Sequence, residues 1–67
     1  MTRYHITVTI HHPDPKKLDY KVYIVKAPDE DTAKTDALNA VKIAQLQHPR
    51  KYAGCTCSIQ PGDVRIL

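Results

Sequence analysis

Phenylalanine and tryptophan are absent from this 67-residue chain, glycine occurs twice and methionine once. Each shortage excludes something. With four Tyr as the only aromatics, a core has to be assembled from Val, Ile, Leu and Ala. Two glycines exclude a phosphate-cradling loop of the usual kind, which needs several in one turn. No run of about eighteen apolar residues exists, so no membrane-spanning helix is expected. Met1-Thr2-Arg3-Tyr4 passes straight into alternating residues rather than an apolar signal region, so secretion is not expected. The two cysteines, Cys55 and Cys57, lie too close in sequence for a relaxed disulfide between them. A reducing, cytoplasmic setting is the simpler expectation.

What is present fits one small domain covering residues 1–67. Tyr4, Ile6, Val8 and Ile10 alternate with Arg3, His5, Thr7, Thr9 and His11. Period two in β-branched residues marks a strand with one buried face. His12-Pro13-Asp14-Pro15-Lys16-Lys17 interrupts it, because two prolines remove backbone donors and restrict φ. Tyr20 to Ala27 is strand-like again, but apolar on both sides. Tyr20, Val22 and Ile24 form one row; Tyr23, Val25 and Ala27 form the other. Either row could meet a covering helix.

Asp29 is a suitable helix N-cap, with Glu30 and Asp31 placing negative charge at the positive end of the dipole. Ala33, Ala37, Ala40, Val41 and Ala44 recur at three- and four-residue spacing and define a narrow packing face. His48-Pro49 ends the helix, since the residue before proline disfavours the α region. A third strand is expected around Cys55, Cys57 and Ile59, with Thr56 and Ser58 on its other face. Gln60-Pro61-Gly62-Asp63 suits a type II turn, after which Val64 to Leu67 can form a short fourth strand. The expected fold is α+β: a three- to four-stranded antiparallel sheet of order two, one, three, with one helix on one face.

Catalytic and metal chemistry find little support. Cys-x-Cys along a strand is a poor clamp for zinc, and His5 and His11 fall on the opposite face from the cysteines. Cys55 and Cys57 read as small buried thiols, His11-His12 as a solvated strand end and His48 as a residue favoured by the helix C-terminus. Neither cysteine sits at a helix start or after a glycine-rich elbow, so no activated nucleophile is expected. Asp14, Asp19 and Asp63 are placed in turns. The expectation is a non-enzyme without a cofactor or a bound metal.

Binding is the remaining class. Leu38 and Leu46 flank Lys42 off the alanine face. They are either partly covered by loops and scattered surface apolars, or a stripe for a protein partner. With Tyr20 or Tyr23 on an uncovered sheet face, they form the expected protein-docking residues. The partner expected is another protein, with a homodimer as one form of this. Very small, motif-free binding proteins are typical of adaptors, regulators and phage-encoded inhibitors, an analogy of size and fold alone. The alternative is RNA or DNA binding through the sheet face and basic loops, using Lys16, Lys17, Lys21, Arg50 and Lys51. A net charge of +3 permits this without requiring it.

Overall fold

The computed structural model describes residues Met1–Leu67. Strand β1 (Thr2–His11) and strand β2 (Leu18–Ala27) form a long hairpin, followed by helix α1 (Glu30–Gln47), strand β3 (Thr56–Ser58) and strand β4 (Val64–Ile66). All pairings are antiparallel and all involve β1. It pairs along its whole length with β2 on one side, and on the other with β3 through Thr9–His11 and with β4 through Tyr4–Ile6. The sheet order is therefore β2-β1-β3, with β4 beside β3 on the same flank. This is the α+β arrangement that the residue pattern implies.

Why β1 is central follows from its sequence. It contains no proline, so both of its edges can donate and accept along the ladder. Its alternate residues Ile6, Val8 and Ile10 are at most 1% exposed beneath the helix. The β1–β2 turn is set by Asp14, whose side chain accepts from the Lys16 N–H and whose carbonyl accepts from the Lys17 N–H, both at 3.0 Å. Pro15 at the second position holds φ in the range such a turn uses. Strand β2 begins two residues closer to this turn than the apolar pattern implies. Leu18 and Asp19 belong to β2, so Asp19 lies in a strand rather than a turn.

Helix α1 begins where the capping pattern places it. The Asp29 carboxylate accepts from the Thr32 N–H at 2.7 Å and is held below the usual carboxylate range by that bond. The His48 N–H closes the other end on the Ala44 carbonyl. Ala33, Ala37 and Val41 are buried against the sheet, while Ala40 and Ala44 are half-covered at the margin. Short side chains on that face let the helix backbone lie close to the strands.

The core contains Tyr4, Ile6, Val8, Ile10, Ala27, Ala33, Ala37, Val41 and Tyr52. Tyr52 follows Arg50 and Lys51 in the loop after α1, where an aromatic residue need not be covered. It is instead buried, 7% exposed, closing the end of the core between the helix and the sheet. The turn at Gln60–Asp63 forms as expected: the Asp63 N–H donates to the Gln60 carbonyl, and Gly62 has φ +88°. No helix is long and apolar enough to cross a membrane.

Candidate functional site

The helix covers one face of the sheet and nothing covers the other. Register decides which row of β2 falls on which side. Ile6 faces Tyr23 and Tyr4 faces Val25 under the helix, whereas His5 faces Ile24, Thr7 faces Val22, Thr9 faces Tyr20 and His11 faces Leu18 on the open side. Four alternate residues of β2 therefore project from the open face: Leu18, 49% exposed; Tyr20, 62%; Val22, 53%; and Ile24, 57%. At about 3.4 Å per residue the row is roughly 20 Å long. Scattered exposed apolars need no explanation, but four in register on one strand form a surface.

Two further properties define that surface. β2 ends the sheet order, so its outer edge has no strand partner. Backbone donors and acceptors along such an edge are a template for another strand. Charge on the open face is also one-sided. Arg3 is opposite Lys26, and Arg65 is opposite His5, which gathers three cations at the end distal to the hairpin turn. None of the residues that alternate onto this face in any strand is Asp or Glu.

The residues expected to bind protein are distributed unevenly. Tyr20 lies on the open face, but Tyr23 is on the helix side, half-buried against the core. Leu38 also packs against the core, which separates it from Leu46; only Leu46, 81% exposed, and Lys42 stand free on the helix. The stripe proposed for Leu38, Lys42 and Leu46 is thus not continuous. Of the expected basic residues, Lys21 and Lys51 are brought together over Tyr52. Lys16 and Lys17 lie in the hairpin turn, and Arg50 and Lys51 in the connection that packs on it. The ammonium groups of Lys21 and Lys51 sit 5.7 and 5.4 Å from the Tyr52 ring centre. A hydrogen bond to Tyr52 holds Lys21 above the usual lysine value. Tyr52 itself is buried, so its ring offers no stacking platform for a base.

The thiols keep to the core side, whereas His11 and His12 depart from the expected solvated strand end. Cys55 and Cys57 are free thiols that face the core as expected, packed against it but only half-buried. Cys57 Sγ accepts from Gln45 Nε2 at 3.3 Å, and burial pushes its thiol up from the ordinary value. His11 and His12 are half-buried and partnered. His11 Nε2 meets Ser58 Oγ at 3.0 Å, and His12 lies between Cys55 and Asp19. The thiol–imidazole contact follows from the register of β3 on β1. Ile10 pairs with Cys57 and His11 with Thr56, so one further rung places His12 opposite Cys55. No group of three or more His, Cys, Asp or Glu side chains is arranged to hold a metal ion. Comparison with known families, curated proteins and solved structures finds no match for this chain.

Proposed function

We propose that the protein is a small regulatory binding module that docks on another protein through β2, accepting a partner strand along its free edge and apolar side chains against Leu18, Tyr20, Val22 and Ile24. The observation that carries this reading is the four-residue apolar row on an unpaired edge strand. Main-chain hydrogen bonds along such an edge supply affinity, and alternate side chains supply specificity. The cations Arg3, Lys26 and Arg65 lie on that same face at the end distal to the hairpin turn, so they favour a partner strand whose row of apolar residues ends in an acidic residue. The same charges oppose stacking of two open faces, so the occupant is a different protein rather than a second copy. A reducing, cytoplasmic location suits the two free thiols.

The test uses labelled ten-residue peptides, one alternating apolar and neutral polar residues with its apolar row ending in an acidic residue, and one of the same composition in shuffled order. Fluorescence anisotropy should show binding of the alternating peptide. Changing Val22 and Ile24 together to Ser should weaken it about tenfold or more, since each removes an apolar contact of order 1 kcal/mol. Both positions are exposed, so the melting temperature should hardly change. Equal affinity for both peptides, or indifference to the double change, removes the proposal.

One arrangement favours a competing reading. Lys21 and Lys51 meet over Tyr52, and the exposed Lys16, Lys17 and Arg50 lie in the hairpin turn and in the loop that carries Lys51, where single-stranded RNA or DNA could bind by its phosphates. That reading requires binding of an oligonucleotide that falls steeply with salt and is lost when Lys16, Lys17, Arg50 and Lys51 become Glu. It would replace the protein-docking proposal if it were the only binding seen.

A further inference from the structure

Three adjacent strands meet at the hairpin end of the sheet, each bringing one reactive side chain. Cys55 precedes β3, His12 follows β1 and Asp19 is the second residue of β2. Cys55 Sγ is 3.2 Å from His12 Nδ1, and His12 Nε2 is 2.5 Å from Asp19 Oδ2. The three lie on the same side of the sheet. His12 continues the β1–β3 ladder opposite Cys55, and Asp19, paired with Ile10, is its diagonal neighbour across the other ladder. Two backbone features fix the thiol there. The Cys55 N–H donates to the Tyr52 carbonyl at 3.0 Å, and Gly54 lies against the Pro13 ring.

The order of groups matters more than their proximity. A carboxylate on Nε2 makes that nitrogen the protonated one and leaves the lone pair of Nδ1 facing the thiol. His12 can then accept the Cys55 proton while Asp19 holds the ring and stabilises its cationic form. A nucleophile in contact with a base that is oriented by a third group is the arrangement used for activated thiols. The site is also accessible. Cys55 is half-exposed, the His12 side chain is 14% exposed and that of Asp19 is 60% exposed. Cys57, two residues away, has no histidine; it is bonded to Gln45 and less ready to ionise because it is desolvated. The exposed cations Lys16, Lys17, Arg50 and Lys51 lie in the two loops that flank this end.

We propose that Cys55, His12 and Asp19 form a thiol-exchange site, modified by small anionic disulfides to give a reversible mixed disulfide at Cys55. His12 takes the proton from Cys55, and the thiolate attacks one sulfur of the disulfide. A new S–S bond forms as the old one breaks, and the departing thiolate takes the proton from His12. Thiol and disulfide are thus converted into a mixed disulfide and a free small thiol, with no other oxidant. Asp19 acts through His12 and is a positioning residue.

The experiment follows the reaction of the folded chain with dithiobis(nitrobenzoate), an anionic aromatic disulfide, by release of its coloured thiolate. At about pH 6 an ordinary thiol is less than ~1% ionised and reacts slowly. The Cys57→Ser variant, which retains only Cys55, should react at least about tenfold faster than N-acetylcysteine, and Cys55→Ser should not. In the Cys57→Ser background, His12→Gln should lower the rate about tenfold or more, and Asp19→Asn by a smaller factor. Circular dichroism checks that each variant is folded. Should His12→Gln unfold the chain, the comparison of Cys57→Ser with N-acetylcysteine still decides. Glutathione disulfide should form an adduct on Cys55, found by mass spectrometry, and cationic cystamine should react less well relative to the same pair with N-acetylcysteine. A Cys55 rate equal to that of the free thiol, or one unchanged by His12→Gln in a folded variant, overturns the proposal. A preference for cystamine overturns its anionic part.

Discussion

At the scale of single residues, Gly54 carries more of the structure than its size suggests. Its φ of +71° lies in the left-handed region, and a Cβ placed there would sit 2.8 Å from Pro13 Cγ. Both conditions hold the β3 connection against the hairpin turn, and with it Cys55 against His12. Gly54→Ala should destabilise the fold by about 1–2 kcal/mol from backbone strain alone, with any clash added to it. Urea denaturation measures this directly. An unchanged midpoint would show that the connection has another conformation available. Gly62, with φ +88° and open space around it, is constrained by its turn alone.

Among the elements, α1 is governed by its first turn. Asp29 Oδ1 accepts from the Thr32 N–H, and this bond depresses the Asp29 carboxyl. A carboxyl whose folded value lies below its unfolded one supports folding fully above the unfolded value. That support is lost as pH falls through the folded value. Helix stability should therefore decline on the acid side of about pH 4. Asn caps nearly as well in either condition, so Asp29→Asn should flatten part of the decline in melting temperature between about pH 5 and about pH 2. If the acid limb of the variant superimposes on that of the wild type, the cap is not a source of the pH dependence. The opposite end of the helix has no basic residue in its last turn, so the dipole is balanced only at its start.

For the molecule as a whole, thinness is the governing property. It measures 36 × 23 × 14 Å, one sheet and one helix deep, and only ten residues are buried. A domain of this length has a total stability of roughly 3–10 kcal/mol. Ile6 is fully buried at the centre of the central strand. Ile6→Ala should cost about 2–5 kcal/mol and leave a large fraction unfolded, as seen by circular dichroism at ambient temperature. A fully cooperative, near-native melt in that variant would mean that stability lies outside this core. With so few buried side chains, covering the β2 row by a partner would add materially to stability, since burial of an aliphatic side chain contributes about 1.5–3 kcal/mol.

Local chemistry written into the chain determined the elements: period two from Tyr4 to Ile10, Asp29 ahead of an alanine face, His48-Pro49 as a stop and Pro61-Gly62 as a turn. These signals act over one to four residues, which is the reach of backbone sterics and hydrogen bonding. Tertiary structure decided the surfaces and the site. Tyr20 and Tyr23 are equivalent by composition, and only the register against β1 turned one outward and the other under the helix. Tyr52 looks like a loop residue until the return of the chain from α1 places it over the open end of the core. His12 and Cys55 are separated by 43 positions. They meet because β3 lies antiparallel to β1 in one register, and a shift by a single residue would turn each thiol to the other face.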